Sequence, residues 1–394
     1  SATLTKLAEE VTTIRHSGTS SAIGDNITIA YVAGASTAHT LTIGDTADAA
    51  DIDIGDVALS GNAGALTLVS DGFAGNEVEN FTANTATSLT ISTVKDLELE
   101  GAGSSTGALS ATGATSVTMT TAGGDLLVDG AQSLTKAASI ALTANDGGII
   151  LTGAMTASKA TSLTVVADGN FDQTGNFVSD ENITVSLTAT GAGNVRYNGI
   201  LDVDHASSIS LVATAGGDVI VDDIELLGVD KALDDITSSL TMSATGVDTS
   251  AAGSIVTVSA INSAAATLDS VTIVTDAKGT ANLTIGGANL TITSIDASAS
   301  LGTLVLDTLA VAAAMDITTG AGTNSITTEV GLADAISLGS ASGTDTYNLT
   351  SDNAAIAAAD TIANFQAGAG GDIISITASA IDGATSGELE NSAG

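Results

Sequence analysis

The sequence predicts an all-β chain, a parallel β-solenoid with coils of about 23 residues, and three observations predict it. A strand-like phrase recurs at near-constant spacing, a Gly/Asp turn follows it at a fixed distance, and proline is absent from all 394 residues. Average usage would place roughly twenty prolines in this length. Proline cannot donate to a strand ladder, so a chain without it suits nearly continuous strand pairing.

The phrase is a small or polar residue, then two apolar positions separated by one residue, mostly Thr or Ser. It appears at Thr40–Ile43, Ala65–Leu68, Ser88–Ile91, Ser116–Met119, Ser139–Leu142, Ser162–Val165, Ser208–Leu211, Ser239–Met242 and Ser270–Ile273. Each copy alternates polar and apolar residues, the period of a half-buried strand. From Ser116 the copies fall 23, 23 and 46 residues apart, and the run Ile183–Leu187 fills the empty place. Behind this phrase ride Thr121–Val128 (Thr-Ala-Gly-Gly-Asp-Leu-Leu-Val) and Thr214–Val221 (Thr-Ala-Gly-Gly-Asp-Val-Ile-Val), with Asn145–Leu151 and Gly191–Tyr197 in the same slot. Gly supplies positive φ there, and Asp or Asn caps the turn.

Each unit therefore reads strand, Gly-Asp turn, strand, turn. One such coil cannot bury its apolar stripe alone, and stacking does so. Neighbouring coils are expected about 4.8 Å apart, and the length allows at most roughly 17 of them. An antiparallel sandwich would also give short alternating strands with Gly/Asn turns. The 23-residue spacing and the missing proline favour the solenoid, while the stretch to 31 residues between Ser208, Ser239 and Ser270 weighs the other way. The first long interval holds Glu225–Ile236, with Leu226, Leu227, Val229 and Leu233 near helical spacing, and is expected to be an inserted loop or short helix.

Three regions are expected: residues 1–25 as an N-terminal cap or assembly segment, 26–316 as the solenoid, and 317–394 as a distinct C-terminal section. In the first, Leu4, Leu7, Ala8 and Val11 fit one helical face. The chain opens on Ser1 rather than Met, and an upstream leader is expected.

Composition bounds the function. Apolar residues make up 44% of the chain but aromatics only 2%, which suits thin repeated core layers and disfavours a sugar-stacking groove or a base-stacking platform. The net charge is −37, from 45 acidic and 8 basic residues, so no basic patch for nucleic acid or anionic lipid is expected. Repulsion of this size opposes compaction unless counter-ions neutralise it. Asp outnumbers Glu 34 to 11, and short Asp side chains in turns are good oxygen ligands for calcium. Plain adaptation to high salt is the competing explanation. There is no Cys, hence neither disulfide nor thiol chemistry, and no run of 18 apolar residues. His16, His39 and His205 lack metal-ligand spacing, no nucleophile elbow stands in a strand–helix context, and the cations are scattered. An enzyme is not expected; a polysaccharide-degrading solenoid has the least support.

The densest acidic stretch is Asp45, Asp48, Asp51, Asp53 and Asp56. Asp51 and Asp53 share one face if the segment is a strand, so their oxygens could converge on calcium; the bland reading is a solvated acidic edge that blocks strand pairing. Asp125 and Asp218 occupy one slot of the repeat, Asp129 and Asp222 another, and stacking would align them in ladders. Ordinary turn capping is the simpler role for each alone.

Beyond residue 317 the pattern changes. Gly320-Ala-Gly-Thr-Asn324-Ser-Ile326 is followed by Gly343-Thr-Asp345-Thr-Tyr347-Asn-Leu349, each with Gly, then Asn or Asp, then an apolar residue. Next comes Asp360-Thr-Ile362-Ala-Asn364-Phe365-Gln-Ala-Gly368-Ala-Gly-Gly371-Asp372-Ile-Ile374. These phrases resemble the C-terminal β-rolls of secreted RTX proteins and related bacterial S-layer proteins, although the full Gly-Gly-x-Gly-x-Asp unit is never completed. The resemblance implies a β-roll-like section with calcium at Asn324, Asp345, Asp360 and Asp372, export to the extracellular cell surface, and assembly there. On the residues alone, Phe365 is expected to be a buried closing plug, and Asp360 and Asp372 to cap a turn or bind an ion.

Together these readings lead to an expected function: a structural homo-oligomer, lattice or filament, stiffened by calcium and in contact with cell-surface glycan. The alternative is an adhesin or passenger stalk displaying a binding tip.

Overall fold

The computed structural model describes residues 1–17, 25–45, 51–72, 75–100, 107–226, 238–246, 253–263, 267–286, 290–309, 311, 313–328, 332–339, 343–349, 360–368 and 370–376. Among the described residues the fold is all-β with no helix: parallel strands stack into a β-solenoid of about 13 turns, with coils about 24 residues apart. The extra residues per coil, and those outside the rungs, account for the shortfall from 17. At about 4.8 Å per rung the rod is roughly 60 Å long.

The recurring phrase forms the first face. Ser88–Thr93, Ser116–Thr121, Ser139–Ala144 and Ser162–Ala167 pair in parallel with like residue over like. Thr184 stacks on Ser162 and Ser208 on Thr184, so Ile183–Leu187 does fill the vacant repeat. The 31-residue intervals leave the ladder intact, since Ser208 pairs with Ser239 and Ser239 with Ser270. One copy is shifted: Thr40 stacks on Thr67, not on Ala65. A two-residue slip keeps the same face inward, which is why alternation alone does not detect it.

The second phrase forms the second face. Leu126–Val128 stacks on Leu97–Leu99 and is followed by Ile149–Leu151 and Phe171–Gln173, then by Val195 and Val219. A third face, of short strands such as Leu109–Ser110, Gln132–Ser133 and Met155–Thr156, closes each coil and retains strand pairing as far as Ile261–Ser263. Beyond it the section narrows to two faces. Thr303 stacks on Thr323 and Asp316 on Ala335, offsets of 20 and 19 residues.

Inward residues form one continuous apolar cluster from Ile27 to Tyr347. Its largest fully buried side chains include Tyr197, Tyr347, Phe81, Phe171 and Phe177. Close stacking of turns demands glycine at one corner. A Cβ on Gly153, Gly175 or Gly199 would lie 2.2, 2.1 and 2.4 Å from backbone atoms of the preceding glycine in the ladder. Inside that corner the buried Gln173 amide donates to the carbonyls of Gly153 and Gly175, at 3.0 and 2.9 Å.

The N-terminal helical face does not form. Ala2–Leu7 and Thr13–His16 are strands, paired with Ile27–Ala35 and His39–Ile43. Alternating Ala-Thr-Leu-Thr suits a strand, and the waiting edge of the next coil satisfies its backbone groups. Lys6, at φ 56°, forms a bulge between Thr5 and Leu7. In the expected insertion, Glu225 and Leu226 end the strand Asp218–Leu226, and residues 227–237 lie outside the described residues. Phe365 is half-buried and packs against the core rather than lying within it.

Candidate functional site

Two carboxylate-bearing regions stand out. In the N-terminal part, Asp51, Asp53, Asn76, Glu77, Asp96 and Glu98 line a groove of about 190 Å³ with Gly75. It arises because Asp53, Glu77 and Glu98 occupy one outward position on successive rungs of the second face. Equal charges thus sit roughly one rung spacing, about 4.8 Å, apart. Burial, and then the neighbouring carboxylates, raises the pKa of Glu77 and Glu98 above the usual value. The ladder ends at Leu127, which takes the next place. Of the expected acidic stretch, Asp51 and Asp53 do share this groove; Asp56 lies elsewhere and accepts from the Asn80 amide at 2.7 Å. Asp45 ends the segment after His39–Ile43, its backbone beside Gly72, and Asp48 lies outside the described residues.

Asp125 and Asp218 act in the corner that leads into the second face. Asp96 Oδ1 accepts from the Asp125 N–H at 2.8 Å, and Asp125 Oδ1 from the Gly148 N–H at 2.6 Å. Further along, Asn194 Oδ1 accepts from the Asp218 N–H at 3.1 Å, and Asp218 accepts from the backbone of Ile255. Each side chain therefore staples the next coil. Gly148, Asn170 and Asn194 hold the places between Asp125 and Asp218, so the two carboxylates are not neighbours.

The C-terminal section brings three of the predicted residues, Asn324, Asp345 and Asp372, together at one corner and sets Asp360 at another. Asn324 and Asp345 are buried. Asp345 Oδ1 accepts from the Asn324 N–H at 3.1 Å, and Asp372 Oδ1 from the Asp345 N–H at 3.1 Å. The Asn324 amide nitrogen faces three acceptors: Gly320 O and Gly322 O, each at 3.2 Å, and Asp345 Oδ1 at 2.7 Å. An amide has two hydrogens to offer. Its own Oδ1 is buried without a partner. On the opposite side, Asp360 Oδ1 accepts from the Asp334 N–H at 3.0 Å, and Asp360 Oδ2 from the Tyr347 hydroxyl. Asp334 Oδ1 accepts from the Met315 N–H at 2.8 Å, while its buried Oδ2 has no partner. Burial raises the pKa of Asp334 and Asp345, and it drives that of Tyr347 upward, with Asp360 adding to the effect.

Sequence reasoning missed Glu77, Glu98 and Asp334. The repeated alternation in Asn76-Glu-Val-Glu and Leu97-Glu-Leu-Glu was the available signal for the first two, but only the register stacks Glu77 on Glu98. Among the described residues no three His, Asp or Glu side chains form a ready metal cluster. Among them no helix is long and apolar enough to cross a membrane. No known protein family matches the chain, and no curated protein or solved structure is measurably similar to it.

Proposed function

We propose that this chain is a structural, self-assembling protein of the extracellular cell surface, an S-layer or filament subunit, that works without a catalytic step and with calcium as its counter-ion. The observation that carries the reading is the Asn324 corner. Rotating that amide by half a turn would set Asn324 Oδ1 beside Gly320 O, Gly322 O and Asp345 Oδ1, an all-oxygen arrangement that repels itself unless a cation sits among the four. Four converging oxygens, one of them a carboxylate, are the donor set a hard cation takes. Backbone and amide oxygens supply most of this set, so it needs no cluster of three acidic side chains.

The rest of the molecule fits the same reading. A rod of −37 charge stacks Asp53, Glu77 and Glu98 in register, and divalent ions offset that repulsion. Neutralised rods can then approach one another. The test is negative-stain imaging of the full chain in millimolar calcium and in excess chelator at matched ionic strength. Ordered sheets or filaments with calcium, lost on chelation, are expected. Monomeric rods in both conditions overturn the reading and leave a display stalk in its place.

A further inference from the structure

We propose that the first face of the solenoid is the surface on which two copies of this chain meet. The inference deepens the self-assembly reading and rests on it. Nine successive rungs, from Ala65–Ser70 to the Ser270–Thr275 part of Thr267–Thr275, present three outward positions each. Of these 27 positions, 21 are Ser or Thr, six are Ala or Val, and none is charged. All are half-buried or exposed.

This neutrality is local. The second face presents Asp53, Glu77, Glu98 and Asp172, and the third Asp202 and Glu225. On the first face itself charge returns just past the ninth rung, at the exposed Asp296 and Asp316. Two copies of a −37 chain that met on those other surfaces would set carboxylate against carboxylate. On this one they do not.

Charge is only half of the argument. A two-fold contact places one patch against itself, so the patch must be its own complement. A hydroxyl donates and accepts, and rows of hydroxyls meet that condition where rows of carboxylates or ammonium groups cannot. Register keeps the rows straight, with Thr67 on Thr90 and Thr90 on Thr118. Thr and Val are stiff at χ1 and already held by the sheet, so little side-chain freedom is lost on contact. The patch is about 40 Å long and about 15 Å wide, on the order of 600 Å² per copy. Contact there would bury on the order of 1,200 Å² in total, the lower edge of the stable class.

The experiment uses the full chain in calcium, with sedimentation velocity and electron microscopy as readouts. The variant T118E/T164E/T241E sets three carboxylates along the face. T82E/S133E/T156E sets three on the third face as a control. Glu77 and Glu98 already occupy outward strand positions, and far-UV circular dichroism checks folding. The expected result is an association constant at least tenfold weaker for the first variant and unchanged for the control. Mixing the first variant with T118K/T164K/T241K should restore association between the two. If the Glu variant does not fold, the Lys variant alone is read for the same loss. Wild-type association in the face variant overturns the proposal while leaving self-assembly standing. A monomeric wild-type chain overturns both.

Discussion

The solenoid body from Leu109 to Leu226 and the narrower section from Thr303 to Ile376 face the same problem at every corner and solve it with different chemistry. In the body, most polar groups at a corner find a partner in the next coil, although the buried Oε1 atoms of Gln132 and Gln173 have none. The buried Thr121 hydroxyl donates to Gly147 O at 2.7 Å, and Asp125, Asn170 and Asn194 each accept a backbone N–H. In the C-terminal section the corners hold buried carboxylates at Asp334 and Asp345, and buried oxygens of Asn324 and Asp334 are left without partners. A buried polar group without a partner costs about 1–3 kcal/mol, more when charged. Both regions thus leave buried oxygens without partners, but only in the C-terminal section is one of them a carboxylate oxygen, and under the calcium proposal that section is the one a cation would complete.

The largest effect should come from breaking the body. In Gly175→Ala the new Cβ would stand 2.1 Å from Gly153 O and 2.2 Å from its carbon, both backbone atoms that cannot turn away. A loss of about 3 kcal/mol is expected. Thermal melting should show it equally with calcium and with chelator, because the steric conflict has no ionic component. A variant rescued by calcium would mean that the body, too, leans on the ion.

Chelation should act in the opposite place. Calcium at a hundredfold excess over its dissociation constant stabilises by about 2.7 kcal/mol. Hydrogen exchange should show this protection across Thr323–Thr328, Ala335–Ser337 and Thr346–Leu349, with amides of Ser116–Thr121 and Ser139–Ala144 unchanged. Protection spread evenly along the rod would erase the distinction between the two regions.

Much of this division was legible in the sequence, and the part that was not has a physical reason. The Ser-apolar-Thr-apolar phrase located the first face because a hydroxyl-lined outer row and an apolar inner row write the strand period directly into the chain. The Gly-Gly-Asp slot located the second face for the same reason. The third face left no phrase: its rungs, such as Gln132–Ser133, are two residues long, too short to show a period. The N-terminal segment misled because Leu4, Leu7, Ala8 and Val11 satisfy helical spacing while Ala2–Leu7 also satisfies strand alternation, and the edge of the next coil decides between them. Asn324, Asp345, Asp360 and Asp372 were recognisable from their phrases, but Asp334 was not. It is marked only by being stacked beneath Asp360, a fact of register rather than of spacing.

A pH titration sharpens the comparison by a smaller amount. Asp334 and Asp345 have their pKa values raised in the folded chain, chiefly by burial. The folded state then binds protons more readily than the unfolded state, so stability falls as pH rises from the ordinary carboxylate range through the folded values. In chelator the C-terminal section should accordingly be more stable at the acid end of that window than at neutrality. Calcium binds the ionised form and should flatten or reverse the slope. Pulse proteolysis followed by mass mapping reads the two regions separately, and an identical slope with and without calcium would remove Asp345 from the ion site.

The smallest effect returns to the body. Thr121→Val keeps the shape of the side chain but removes the hydroxyl that donates to Gly147 O and accepts from the Asn145 N–H at 3.1 Å. Two backbone groups at one corner lose a partner, and about 1–2 kcal/mol of stability should go with them. The chain supplies its own control at the same strand position. Thr93 and Thr121 are followed in the same stack by Ala144 and Ala167, and at Ala144 the next coil bonds the backbone, Asp168 N–H donating to Ala144 O at 2.7 Å, as Ala122 N–H does to Thr93 O at 2.8 Å. Ala144→Thr is expected to bring a smaller gain, because the Asp168 N–H that would meet the new hydroxyl is already bonded to Ala144 O. If Thr121→Val proves neutral in chemical denaturation, the corner hydroxyls are incidental, and the stability of the body rests on its glycine ladder and apolar stack alone.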